Sequence, residues 1–360
     1  MRHRRTRICG TRKKNKNSKQ AQRGRVALMS IPNRIALTMP NLDGIPETFQ
    51  YAKWAEDEGF DDLWFADTPG VDSLTTASAV AMLTERVRIG TAIIPVFTRT
   101  PAVLAATAQV LHDVSKGRFI LGLGSSSQFM MENMNGVTFE KPLTRVKETA
   151  EIVRHILAGG KTDFAGETLR SKGYSQPGSD VPGVPPIYIA GLRAKMLEMA
   201  AEVGDGVIIN LFPRDALPKL LEHVRIGAER AGKTLEDIEI VCRHQCAVTD
   251  DVDAARDKLR SHFAPYYATP VYNKFLRWVG QEAAADAIAE GWAVRDRAKT
   301  TGALHDELLD SITHVGSREK VQDDIRDLAN AGVNTHIIAC VVPEAYEATA
   351  EAFSAANFKF

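Results

Sequence analysis

Residues 186–210, PIYIAGLRAKMLEMAAEVGDGVIIN, hold one complete strand–helix–strand unit. The apolar run PIYIAG (186–191) gives way to a helix from about Arg193, Gly204 stands at the helix end, and GVIIN (206–210) begins the next apolar run. The same alternation extends in both directions. RIALTM (34–39), DLWFAD (62–67), VRIGTAII (87–94) and RFILGLG (118–124) precede the unit, and IEIVCRHQCAV (238–248) and THIIACVV (335–342) follow it. Short apolar runs alternating with helical segments predict βα units around a parallel sheet. Eight such strands predict an α/β fold of the (β/α)8 TIM-barrel type.

Two segments exceed a minimal barrel, so insertions are expected after helix 4 and strand 7. The first, Lys161 to Pro185, reads as a hairpin and a turn-rich loop. The second, Asp251 to Gly332, is helical in character. Its aromatic residues Phe263, Tyr266, Tyr267, Tyr272, Phe275, Trp278 and Trp292 read as core or subunit interface, with a wall of the substrate pocket as the other reading.

Over all 360 residues, 45 Lys and Arg balance 45 Asp and Glu, but the balance conceals two parts. Residues 1–28 carry eleven basic side chains and no acid, which leaves about −11 on residues 29–360. Residues 1–28 therefore read as a basic, disordered leader, and residues 29–360 as the barrel domain. A nucleic-acid arm, a targeting signal and a start placed too early at Met1 instead of Met29 all fit the leader, and its removal is expected to leave activity unchanged. The acidic body repels a polyphosphate backbone, so no nucleic-acid partner is expected. No run of about 18 apolar residues predicts a membrane span. Four cysteines are too few for a disulfide framework, and a cytoplasmic location is expected.

A barrel carries its active site where the strands end. Strand 2 ends at Asp67, which could act chemically or cap the turn behind it. Strand 4 ends in Gly122-Leu123-Gly124-Ser125-Ser126-Ser127, small residues that let a ligand approach backbone; the third glycine of a dinucleotide fingerprint is absent. Strand 5 runs into Gly191-Leu192-Arg193-Ala194-Lys195, where helix amides, a glycine and two cations suit a phosphate, although a plain βα turn reads the same way. Cys242, His244 and Cys246 share one face of strand 7 at about 6.6 Å spacing. That is too far apart to converge on one ion, so no metal is expected, and His244 is placed in a polar layer of the barrel.

GTAIIPVFTRTP (90–101), GRFILGLGSSS (117–127), NGVTFEKPLTRVKETAEIVRHIL (135–157) and residues 186–210, together with strand 2 up to Asp67, resemble the luciferase-like monooxygenase superfamily. More narrowly they resemble its coenzyme F420-dependent oxidoreductases, those related to methylenetetrahydromethanopterin reductase. The likeness runs in order from Arg34 to Ala350, and TRTP and FEKPLTR are its most specific pieces. It implies a flavoprotein-type enzyme with coenzyme F420, or alternatively FMN, and a homodimer. It also implies a non-proline cis peptide at Ala92-Ile93 against the deazaflavin ring, Asp67 and Ser125 to Ser127 at the ring edge, and Gly191, Leu192 and Arg193 on the phosphate. Asp67 and Ser127 are the implied catalytic residues.

Two positions depart from the sugar-phosphate dehydrogenases of that branch. Thr68 stands where they have a histidine, and Ser127 where they have a glutamate. With only Asp67, Ser125 to Ser127 and Glu132 as proton donors, the expected reaction is hydride transfer between C5 of coenzyme F420 and a C=C, C=N or C=O bond of a small molecule. An FMN-dependent monooxygenase and a non-catalytic deazaflavin-binding protein are the alternatives.

Overall fold

The structure is a computed structural model that describes residues 31–39, 45–67 and 70–360. The predicted leader and Thr68 lie outside the described residues. Eight parallel strands form the barrel: β1 (Arg34–Thr38), β2 (Asp62–Phe65), β3 (Arg88–Thr91), β4 (Phe119–Gly124), β5 (Ile187–Ala190), β6 (Gly206–Asn210), β7 (Glu239–Val248) and β8 (Thr335–Ala339). They pair in sequence order, and β8 returns to β1, which closes the ring. The outer ring is α1 (Ile45–Asp57), α2 (Ser73–Leu83), α3 (Pro101–Val114), α4 (Pro142–Leu157), α5 (Ala194–Val203), α6 (Leu217–Arg230), α7 (Arg318–Asn330) and α8 (Tyr346–Ala352). Gly59, after α1, takes φ +88 as the helix-ending grammar expects, whereas Gly204, after α5, is extended at φ −92.

Both insertions are where the composition places them. An antiparallel hairpin, Asp163–Ala165 with Arg170–Lys172, follows α4. After β7 come five helices, from Val252 to Ile312, and a strand that the sequence reading missed, Thr313–Gly316, which pairs with Gln245–Val248. β7 thus outruns its neighbours, and its far end belongs to the insertion. Ala247 there joins Leu211, Phe263, Tyr267 and Val342 in a second hydrophobic cluster.

Strand side chains alternate between the barrel axis and the helices. Arg88 closes the N-terminal end inside the barrel, held by Asp62 at 2.6 Å and Glu239 at 2.7 Å. Tyr188 and Thr335 also donate to Glu239. Above this ionic layer lie Ala36, Trp64, Ile120, Ile208, Val241 and Ile337, with Ala92, Ile93 and Ala190 packed against them toward the mouth. Charge at one end and apolar surface at the other separate a face that stabilises from a face that can bind.

The inward face of β7 is therefore that of Val241, and Cys242, His244 and Cys246 point outward. The placement of His244 in the barrel interior is corrected accordingly. It lies against His336 at 3.1 Å, between sheet and helices. Burial, then His336 and His314, lowers its pKa.

Candidate functional site

The mouth is built first by β3 and β4. Gly90 pairs with Ile120, yet Ile94 pairs with Leu123, so β3 carries one residue more than β4 over this stretch. That is a bulge, and it contains the Ala92-Ile93 peptide, which is cis. The bulge needs room. A Cβ on Gly122 would stand 1.7 Å from the Thr91 carbonyl oxygen, and one on Gly124 would stand 2.8 Å from Ile93 Cγ1. The two glycines thus admit the neighbouring strand, where the sequence reading had a ligand approaching their backbone.

Asp67 lies two residues beyond the end of β2, and its amide faces the Ile93 carbonyl at 3.4 Å. Its side chain is doubly held. Ser73 donates from backbone (3.3 Å) and hydroxyl (3.0 Å) to Oδ1, and Arg99 donates to Oδ2 at 2.6 Å. The other arm of Arg99 reaches Asp72, the N-cap of α2. TRTP is thereby accounted for: Arg99 ties β2 to α2, Thr100 caps α3, and Pro101 opens it. Sequence reasoning missed Arg99 as the partner of Asp67. An arginine in the loop beside a strand-end carboxylate was the available signal.

FEKPLTR is also structural. Phe139 packs on Phe97 with ring centroids 4.8 Å apart, and Arg145 lies over the same Phe97 ring. Glu132 accepts from Gln128 and from the Phe139 amide, which ties it to this segment.

At the end of β4, Ser126 adopts φ +60, and Ser127 Oγ accepts from the Met130 amide at 3.3 Å, so it caps the short helical segment behind it. Its hydroxyl hydrogen is left to point elsewhere. Ser125 Oγ reaches only the Ser126 carbonyl, at 3.2 Å. A π-helical turn over Met130–Met134 follows, a distortion frequent beside functional sites.

β5 pairs with β4, which brings Gly191, Leu192 and Arg193 beside the serines. Arg193 is the N-cap of α5 and makes no side-chain cap. The Met196 and Leu197 amides donate to the Arg193 carbonyl at 2.9 and 3.0 Å, which leaves the amides of Ala194 and Lys195 without intrahelical partners. Among the described residues neither Arg193 nor the exposed Lys195 has an ion-pair partner. A Cβ on Gly191 would sit 2.9 Å from Leu197 Cδ2 and 3.1 Å from its backbone nitrogen, so this glycine also lets the strand end pack against the helix.

Across the mouth stands a polar set that the sequence reading did not single out. Asn210 ends β6 and pairs in register with Arg243 of β7. Arg243 Nε donates to Thr38 of β1 at 3.3 Å. Tyr272, from the insertion, faces Asn210, and burial pushes its hydroxyl up to about 12. The aromatic cluster therefore divides: Phe263, Tyr267 and Phe275 are core, while Tyr272 looks toward the mouth and Tyr266 and Trp292 are exposed. A separate cavity of about 490 Å³, lined by Ser261, Pro265, Trp292, Arg295 and Thr301 among others, is formed by insertion residues alone. Among the described residues no group of three or more His, Cys, Asp or Glu could hold a metal ion. No helix among them is long and apolar enough to cross a membrane.

The family model of luciferase-like monooxygenases matches residues 26–335. The 5,10-methylenetetrahydromethanopterin reductase of Archaeoglobus fulgidus is 31% identical over 296 residues, covering 80% of this chain and 87% of that protein. An F420-dependent glucose-6-phosphate dehydrogenase of Rhodococcus erythropolis is 32% identical over 241 residues, covering 62% and 69%. Among solved structures, the coenzyme F420-dependent tetrahydromethanopterin reductase of Methanopyrus kandleri superposes with a TM-score of 0.76 at 22% identity, covering 90% of this chain and 98% of that one.

Proposed function

Since the chain belongs to the luciferase-like monooxygenase family, in its branch of coenzyme F420-dependent oxidoreductases, we propose that it moves a hydride between that coenzyme and a C=C, C=N or C=O bond of a small organic substrate at the barrel mouth. The observation that carries the placement is the start of α5. The Ala194 and Lys195 amides at the helix start and an arginine with no carboxylate partner among the described residues form a local anion site on a body of net negative charge, which suits the coenzyme phosphate.

When bound, coenzyme F420 supplies the hydride at C5 of its ring. The chain's own residues hold and orient. Arg193 and the amides beyond Gly191 and Leu192 would hold the phosphate. Ala92, Ile93 and Ala190 form an apolar floor on which a planar ring can rest, and that floor excludes water from the reacting face. Asp67 is fixed at the edge by Ser73 and Arg99, and Ser125 and Ser126 stand on the β4 side. Ser127, whose oxygen is engaged by Met130, keeps a hydroxyl hydrogen to donate to a developing negative charge. A homodimer belongs to the same proposal, supported by the exposed Trp292 and Val294 of the insertion.

The test is anaerobic titration of purified protein with coenzyme F420, followed by turnover of the reduced coenzyme against enones, imines and ketones. Saturable binding with turnover is expected. Oxygen consumption with reduced FMN, and no binding of coenzyme F420, would make the protein a monooxygenase. Binding without turnover on any acceptor would make it a carrier.

A further inference from the structure

Arginines point into this barrel at both ends, and their surroundings differ. Arg88, at the closed end, is met by the carboxylates of Asp62 and Glu239. Arg243, at the open end, makes one side-chain hydrogen bond, to the Thr38 hydroxyl, and among the described residues no carboxylate lies within ion-pair distance. Two residues on, and therefore on the same face of β7, Gln245 is 1% exposed, and among the described residues neither its Oε1 nor its Nε2 has a hydrogen-bond partner. Opposite Arg243 in register, Asn210 has a fully enclosed Oδ1 that also lacks a partner among the described residues. A buried amide with both polar atoms unpaired is uncommon in a folded protein and costs stability. Two amides with enclosed, unpaired polar atoms, Gln245 and Asn210, beside one cation mark a place built for a ligand.

We propose that Arg243, Gln245 and Asn210 form a subsite for the carboxylate of an organic acid, so that the substrate of the reaction proposed above is a carboxylated molecule. This rests on that reading for the mouth being where the reaction occurs. The guanidinium fork matches the two oxygens of a carboxylate, and the Gln245 amide N–H can donate to one of them. Asn210 Oδ1 then takes an N–H or O–H elsewhere on the same molecule. The charge decides between anions: one unpaired guanidinium balances a carboxylate, whereas a phosphate dianion would leave excess negative charge in an enclosed site. Tyr266 and Tyr272, whose hydroxyls interact electrostatically with Arg243, supply aromatic surface for the rest of the molecule, and burial lowers the pKa of Arg243 itself.

The test uses the full chain and a pair of isosteric probes, benzoate and benzamide, measured by isothermal titration with and without coenzyme F420. Wild type should bind benzoate roughly tenfold or more tightly than benzamide, as a charge-assisted pair predicts. Arg243→Met should abolish the preference, Arg243→Lys should keep part of it, and Gln245→Leu should weaken benzoate severalfold. Because Arg243 holds no backbone group, Arg243→Met should melt no lower than wild type, which separates lost binding from lost folding. Equal affinity for the two probes in wild type, or a preference that survives in Arg243→Met, overturns the subsite. So does an Arg243→Met protein that loses affinity for coenzyme F420 while wild type ignores benzoate, because the anion held there would then be the coenzyme's own. A wild type that prefers benzoate but does not bind coenzyme F420 sinks the function proposed above and leaves the subsite standing.

Discussion

Arg99 holds Asp67 at 2.6 Å with the same guanidinium that reaches Asp72, so the orientation of the strand-end carboxylate is fixed by a residue 32 positions away in sequence. Replacing Arg99 with Met should release Asp67 and lower stability by roughly 1–3 kcal/mol, the worth of hydrogen bonds to a charged group left unmade. Affinity for coenzyme F420 should fall as well. Denaturant melts and coenzyme titration of Arg99→Met beside Asp67→Asn check this. Unchanged coenzyme affinity in both variants removes Asp67 from the ring edge.

Arg193→Met should weaken coenzyme F420 roughly tenfold, the effect of one charge-assisted contact, while leaving the melting temperature in place, because Arg193 caps no helix amide and has no ion-pair partner among the described residues. Gly191→Ala is a poorer probe. Its new Cβ would press on the Leu197 backbone, so loss of binding and loss of helix packing would arrive together. Fluorescence titration of Arg193→Met decides whether the phosphate lies at α5.

Removing the charge at the closed end should act on stability alone. Arg88→Met leaves Glu239 buried without its cation and Asp62 with only Arg34 at 3.7 Å, a loss of about 3–5 kcal/mol. Activity per folded molecule should stay within error, measured well below the lowered melting temperature. A fall in activity without a fall in stability would contradict the division of the barrel into a stabilising end and a binding end.

The outward histidines set an acid limit. Burial pulls His336 down to about 3 and lowers His244 and His314, and the last faces Asp324 and Arg214. His336 therefore stays neutral in the folded chain well below pH 6.5, while in the unfolded chain each histidine takes a proton near pH 6.5. Stability should therefore be intact above pH 6.5 and drain as pH falls toward 3, at about 1.4 kcal/mol per unit for one such histidine. Thermal melts between pH 8 and 5 should show this slope, and His336→Gln should flatten it. A slope equal in the two proteins would assign the acid sensitivity elsewhere.

The eight strands were legible because each apolar run is bounded by turn residues, and the family-specific motifs located the bulge at Ala92-Ile93. Strand phase was harder to read. IEIVCRHQCAV alternates in both registers, and the cysteines and histidine drew attention to the face that turned out to be outward, while Arg243 and Gln245 hold the inward one. Periodicity shows that two faces exist but not which one meets the axis. Thr313–Gly316 escaped because four residues amid helices carry no alternation long enough to recognise. The Asp67–Arg99 pair was half legible: the loop arginine and the strand-end carboxylate were both in view, but local sequence does not show that they meet across 32 residues.

The close approach of Thr91 to Gly122 divides the mouth into two materials. Between β3 and β4 the wall is main chain packed on main chain, with no space in which any other side chain could be tried. Between β6 and β7 it consists of side chains, Asn210, Arg243 and Gln245, that a single codon change can replace. Mutation can thus redraw the half proposed to meet a substrate while the half that backs the bulge stays as it is, so that on the proposed reading a lineage built on this frame can change its substrate and keep its seat for a planar ring.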